Sequence, residues 1–306
     1  MKYPKYLKDN DKIGITALSS GASDCMKEMD EAIKNIEKYF KVLYTEDVFG
    51  NSVVSASSLE RAKEFHELLD ENVKLIMLSR GGDYLFDCLE YIDFDKIVDE
   101  NIWVEGASDG TGILYVLTTK YDLATVYGKN AKNFANIDED NLINISLLKG
   151  YLPIQNSFGD RDIISTSGNF QDRGIIIGGC FDVIKNIIGT KFDNTKGFIE
   201  KYKDKKIIWY FDIFAMSSID VYLSLLQLKY AGWFKYSDTF IFSAPMFPSI
   251  YGNIEYEDAI KKALGDKNII INANIGHLDP VNIIINGSFA TITYADGKMT
   301  IEQELV

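Results

Sequence analysis

Three residues with the chemistry of acyl transfer are spread along the 306-residue chain, each where a turn can present it. Gly106-Ala107-Ser108-Asp109-Gly110 is a G-x-S-x-G sequence lying between an apolar strand pattern and a helical one. Glycines on both sides permit a sharp bend, which projects the Ser108 hydroxyl and leaves the Asp109 N–H as a donor to an oxyanion. The field of the following helix N-terminus favours developing negative charge. The plainer reading of the same residues is a strand-to-helix turn with Ser108 or Asp109 as N-cap. His277 stands in Gly276-His277-Leu278-Asp279-Pro280, a polar loop after an apolar run, where an imidazole can act as general base. The other histidine, His66, lies in a helical stretch with no turn chemistry and reads as a surface residue, which leaves His277 as the available base.

A carboxylate that orients the histidine completes such a set. Asp212 ends the apolar run Ile207-Ile208-Trp209-Tyr210-Phe211, where an open α/β sheet carries functional groups. Asp220 and Asp279 compete for the role, although Asp220 also suits a helix cap and Asp279 its own Asp-Pro turn. Arg80-Gly81-Gly82-Asp83 follows another apolar run. Its glycines allow either a tight turn or backbone N–H groups aimed at an anion, a phosphate or an oxyanion. There is neither a G-x-G-x-x-G sequence nor a P-loop.

The elements that must hold these residues come from periodicity. Apolar runs at 13–18, 42–44, 73–78 and 102–105 alternate with helical spacing over 26–40, from Ser58 through Leu69, and over 111–118. Ser58 is placed to cap the second of these helices, with Glu60 close behind. Strand, turn and helix repeated in this way predict parallel βαβ units with functional loops at strand C-termini. Residues 131–172 are rich in Asn, Asp, Ser and Gly and read as irregular. Beyond them, strands are expected at 174–179, 207–211, 239–242 and 268–271, with a helix through Val221 and Leu228. Asn286-Gly287 and Asp296-Gly297 are hairpin turn signals near the end. The expected fold is α/β in two domains. An N-terminal open, mostly parallel sheet with flanking helices occupies 1–150, 151–172 connects, and a C-terminal α/β domain with mixed β structure occupies 173–306.

Composition narrows the function class. Hydrophobic residues at 46% and charged residues at 25% are ordinary globular usage. Lys and Arg number 32 against 45 Asp and Glu, and the net charge of −13 disfavours nucleic-acid and anionic-membrane partners. Three cysteines without C-x-x-C spacing fit a reduced interior, and two histidines leave no multi-histidine zinc site. Every apolar run is broken by charge well before the roughly 18 residues of a membrane span. The N-terminus lacks the apolar stretch of a signal peptide. A cytoplasmic protein is expected.

Taken together, these motifs resemble the LD-carboxypeptidases, a serine-peptidase family that includes microcin C immunity proteins. The resemblance runs through Ser19-Ser20 and Arg80-Gly81-Gly82. It continues through Gly106-Ala107-Ser108-Asp109-Gly110-Thr111, similar to the family's G-[YF]-S-D-x-T, and a glycine-bearing strand from Gly174 to Gly179. The strand ending in Asp212 and Gly276-His277-Leu278-Asp279-Pro280 complete it in the family's order. The resemblance implies a Ser–His–Glu triad at a domain interface, with Ser108 as nucleophile, His277 as base and acid, and Asp212 as orienting carboxylate. It implies an oxyanion hole from the backbone N–H groups of Asp109 and the Gly81-Gly82 turn. It also implies no cofactor, no metal and a homodimer. The implied substrates are cell-wall tetrapeptides, which lose a terminal residue, or a toxic aminoacyl-nucleotide. Three positions depart from the family pattern: Asp212 stands for Glu, Ala107 for an aromatic residue, and Tyr127-Gly128-Lys129-Asn130 for His-Gly-Pro. An α/β-hydrolase esterase shares the G-x-S-x-G motif and the chain order but would need an HGGG-type loop, which is missing. A ligand-binding relative without turnover is the third reading.

Overall fold

Leu75-Ile76-Met77-Leu78 are all buried, so this strand has no wet face. That is the pattern of a parallel strand covered by helices on both sides. The computed structural model describes residues 1–156 and 162–306; residues 157–161, within the expected connection, lie outside it. The chain divides into two units, Met1–Leu152 with Ile283–Ile285, and Pro153–Asn282 with Asn286–Val306.

The first unit runs β1 (Lys12–Thr16), α1 (Met26–Ile36), β2 (Lys41–Tyr44), α2 (Ser58–Asp70), β3 (Leu75–Leu78), α3 (Leu85–Cys88), α4 (Phe94–Glu100), β4 (Trp103–Gly106), α5 (Thr111–Tyr121), β5 (Thr125–Tyr127) and α6 (Glu139–Leu148). Its sheet has the order β12-β5-β4-β3-β1-β2, where β12 is Ile284–Asn286 from far along the chain. The pairs from β2 through β5 are parallel, as alternation of strand and helix requires. Helix α5 is buried along Thr111 to Thr119, which fits an apolar helix lying against the sheet rather than an amphipathic one at the surface.

The second unit adds β6 (Gln155–Asn156), β7 (Ile164–Ser165), β8 (Phe170–Cys180), α7 (Phe181–Ile187), α8 (Thr195–Lys201), β9 (Ile207–Asp212), α9 (Ser218–Tyr230), β10 (Ser237–Ser243), α10 (Tyr256–Leu264), β11 (Asn268–Ala273), β13 (Phe289–Ala295) and β14 (Lys298–Glu304). Its sheet has the order β6-β14-β13-β8-β9-β10-β11-β7. β8 to β11 form a parallel centre, and antiparallel strands flank it on both sides. Every residue of β9 is buried, whereas β13 and β14 alternate buried with more exposed positions. Sheet centre and one-sided margin are thus distinguishable by pattern alone. The fold is α/β with one mostly parallel sheet and one mixed sheet. No helix among the described residues is long and apolar enough to cross a membrane.

Local expectations differ from the structure in three places. The cap of α2 is Ser57, not Ser58: Ser57 Oγ accepts from the Glu60 N–H while the Glu60 carboxylate accepts from Ser57. Residues 131–172 are not irregular throughout, because α6 forms there with its own capping box between Asp138 and Asn141. Asn286-Gly287 is not a hairpin turn, since the strand before it belongs to the first unit's sheet; Asp296-Gly297 does join the antiparallel pair β13 and β14.

Candidate active site

β4 ends at Gly106, and one 3₁₀ turn, Ser108–Gly110, leads into α5. Ser108 sits in that bend with φ 58°, in the left-handed region, where a non-glycine residue costs on the order of 1–3 kcal/mol. Two hydrogen bonds hold the bend. The Ala107 N–H donates to Asn130 Oδ1 at 3.0 Å, and the Ser108 N–H donates to Tyr127 Oη at 3.3 Å. Tyr127 ends β5 and Asn130 lies three residues beyond it, so the segment that departs from the family's His-Gly-Pro supports the serine.

The expected oxyanion residues cluster around Ser108. Gly81 faces it so closely that a β-carbon there would stand 2.9 Å from Ser108 Cβ and 3.0 Å from Oγ. Its neighbour Arg80 uses its guanidinium elsewhere, on the Gly21 carbonyl and the Asp24 carboxylate. The Asp109 carboxylate is buried, and its Oδ2 accepts from Ser19 Oγ at 2.6 Å and from the Leu85 N–H at 2.8 Å. Burial pushes its pKa up, and the two hydrogen bonds oppose that shift. Glu105, fully buried in β4, is pushed up to about 8 by burial, so it is largely protonated at neutral pH. Its Oε1 accepts from the Lys129 N–H at 3.3 Å.

In the second unit Asp212 closes β9 and is buried. Ser243, the last residue of β10, donates from Oγ to Asp212 Oδ1 at 3.3 Å and accepts the Ile213 N–H at 2.8 Å. His277 Nδ1 lies 2.7 Å from Asp212 Oδ2. Neither ring nitrogen is aligned in a hydrogen bond, so Nε2 has no partner among the described residues. The imidazole rests against the Phe214 ring, with centroids 4.6 Å apart, and Phe247 meets Phe214 edge-on at 5.1 Å. Asp182 fixes this aromatic segment by accepting the N–H groups of Phe214 and Ala215, both at 3.0 Å.

The structure therefore brings Ser108, Gly81 and Asp109 together in one unit, and Asp212 and His277 together in the other. Of the competing carboxylates, Asp220 forms the capping box of α9 with Ser217, and Asp212 is the one 2.7 Å from His277. His66 is not a free surface residue; it is half-buried and its Nε2 accepts the Asp93 N–H at 2.9 Å. Sequence reasoning marked Tyr127 and Asn130 only as a departure from the family pattern, not as supports of the Ser108 bend, and it missed Asp182, Phe214 and Ser243 altogether. The available signal was position, since Tyr127, Asn130, Phe214 and Ser243 lie at or just beyond the C-terminal ends of strands. Among the described residues, no group of three or more His, Cys, Asp and Glu side chains is arranged to hold a metal ion.

Known proteins agree with this arrangement at the level of fold. The structure of the microcin C7 self-immunity protein MccF with glutamyl sulfamoyl guanosine superposes with a TM-score of 0.84 at 17% identity, over 99% of both chains. Muramoyltetrapeptide carboxypeptidase from Oxalobacter formigenes gives 0.81 at 16% identity, over 96% of this chain and 99% of that one. In sequence, the Escherichia coli protein MccF is 36% identical over 75 residues, 24% of this chain and 22% of its own length. A Vibrio cholerae relative carrying a carboxypeptidase name is 32% identical over 135 residues, 42% of this chain. The matched stretch spans only 40% of that relative. Residues 13–128 match the LD-carboxypeptidase N-terminal domain and residues 173–292 the LD-carboxypeptidase C-terminal domain, and the chain belongs to the LD-carboxypeptidase family of serine peptidases.

Proposed function

We propose that the protein is a serine carboxypeptidase that removes the terminal residue of cell-wall tetrapeptides, with Ser108, His277 and Asp212 as its triad. Ser108 Oγ attacks the scissile carbonyl carbon and passes its proton to His277 Nε2. The oxyanion is held by the N–H groups of Asp109 and the Gly81-Gly82 turn. Collapse breaks the C–N bond, and His277 returns the proton to the leaving amine. Water, deprotonated by His277, then hydrolyses the acyl-enzyme and restores the Ser108 hydroxyl. Asp212 keeps the imidazole in the tautomer this requires. The observation that carries the reading is Ser108 held at φ 58° between β4 and α5, with Gly81 against its hydroxyl. The proposal extends to a homodimer acting in the cytoplasm in peptidoglycan recycling.

A second reading, amide hydrolysis in aminoacyl-sulfamoyl nucleosides, is supported by the ligand of the similar MccF structure. Mass spectrometry after incubation with tetrapeptide muropeptides and with aminoacyl-sulfamoyl nucleosides separates the two. Release of D-alanine by the parent protein, lost in Ser108→Ala by about 10⁴-fold, is the expected result. Cleavage of the nucleosides alone would favour the second reading. Binding of either compound without cleavage would overturn the enzymatic proposal.

A further inference from the structure

We propose that the side chain of Asp109 is a positioning residue for acyl transfer, clamping the Gly81-Gly82 turn against Ser108 through Ser19 and the start of α3. The inference rests on the Ser108 reaction proposed above and gives Asp109 a task separate from that of its backbone N–H.

Asp109 is 5% exposed, and Oδ2 takes both hydrogen bonds of its carboxylate, from Ser19 Oγ at 2.6 Å and the Leu85 N–H at 2.8 Å. Burying a carboxylate is costly, and an apolar side chain would fill the same space more cheaply. What this one achieves is connection. Ser19 belongs to the loop after β1, Leu85 opens α3, and Asp109 belongs to the bend before α5. Because the Ser19 hydroxyl donates to Asp109, its oxygen is turned to accept the Tyr84 N–H at 3.1 Å. Two consecutive amides, of Tyr84 and Leu85, therefore end on one small network.

That network fixes the far end of a short segment whose near end is Gly81, against Ser108 Oγ. Gly82 backs onto the same loop: a β-carbon there would stand 2.3 Å from Ser19 Oγ and 2.4 Å from Ser20 Oγ. The buried Arg61 guanidinium ties the same two loops independently, donating to the Leu18 and Tyr84 carbonyls. With Arg61 holding the fold, loss of the Asp109 carboxylate releases the turn by a small displacement. Donors to an oxyanion tolerate little displacement, and one lost donor costs about 10²–10³ in rate.

The test uses the full-length protein and a fluorophosphonate probe, with the labelled peptide identified by mass spectrometry and thermal unfolding followed in parallel. In Asp109→Ala, kinact at Ser108 should fall about 100-fold with KI unchanged. Asp109→Asn should recover to within about fivefold, because one amide oxygen can accept both hydrogen bonds. Ser19→Ala should lose about tenfold, and the double variant should be no slower than Asp109→Ala alone, as expected of coupled groups. A purely structural role would lower Tm and leave kinact of the folded protein at the parental value. Parental kinact in Ser19→Ala or Asp109→Ala, or equal losses in Asn and Ala, would overturn the inference. If Asp109→Ala does not fold, Ser19→Ala and Asp109→Asn decide it by the same criteria. Absence of labelling at Ser108 in the parent would overturn the nucleophile assignment itself, a distinct result.

Discussion

Gly276 turns its α-carbon toward the Asp212 carboxylate with so little clearance that a β-carbon there would stand 1.9 Å from Cγ. Its φ of 83° also lies in the region that side-chain-bearing residues avoid. The acid meets the histidine across a residue with no side chain. Gly276→Ala is expected to push Asp212 and His277 apart, lowering kcat by about 10³ or more. It should also cost about 1–3 kcal/mol of stability. Turnover and denaturant unfolding measure both, and parental turnover would show that the pairing is not required.

Asp212→Asn keeps the shape and removes the charge facing Nδ1. The wrong imidazole tautomer is then favoured, and kcat should fall by about 10³–10⁴. Asp212→Glu should be far milder, about tenfold through misalignment, because the extra methylene must be absorbed beside Gly276. The comparison is decisive in steady-state kinetics: near-parental kcat in Asp212→Asn would remove Asp212 from the triad.

Gly81→Ala would place a methyl group 3.0 Å from Ser108 Oγ. The serine or the turn has to shift by a few tenths of an ångström. Acylation is expected to slow by about 10², and Tm should fall as well, because the new carbon would also stand 2.9 Å from Ser108 Cβ in a bend that two backbone hydrogen bonds hold. Unchanged burst kinetics would show that this turn does not abut the reacting centre.

Glu105 supplies a pH prediction with a definite sign. Its folded pKa is raised to about 8 from a usual 4.5 by burial. Between these values the unfolded chain gives up a proton that the folded one retains. Stability from this group is therefore fully present below pH 4.5 and declines by up to about 1.4 kcal/mol per pH unit until about pH 8. Glu105→Gln removes the titration. Its stability relative to the parent should rise with pH across that window and level off above it, as urea denaturation at several pH values would record. A difference that stays flat with pH would show Glu105 to be ionised in the fold.

The fold class was readable because its central strands announce themselves. β3 and the 207–211 stretch of β9 are unbroken apolar runs, and the strand–turn–helix around Ser108 carries its own punctuation. Helix α6 was hidden by composition, since Asn141 and Asn144 are buried in a helix that looks, as a sequence, like a polar loop. The reason for the motif's glycines was only half legible. The sharp dihedral falls on Ser108 itself, while Gly106 and Gly110 lie close against the Leu78 side chain. The candidate nucleophile, histidine and acid each stood in a local motif. Their supports did not, because the contact between Ser19 and Asp109 joins residues 90 apart in the chain. Such a pairing depends on which loops the sheet order brings together, and no local pattern encodes it.

β12 adds a constraint of time. The sheet bearing Ser108 is bounded beyond β5 by a strand that the ribosome makes only after the chain from Pro153 to Asn282 has been synthesised. Until Ile283–Ile285 emerges, β5 offers its open N–H and C=O groups to any passing strand, the exposure that invites mispairing during synthesis. A chain stopped at Leu152 would keep that raw edge permanently. The unit that carries Ser108 is made first and finished last.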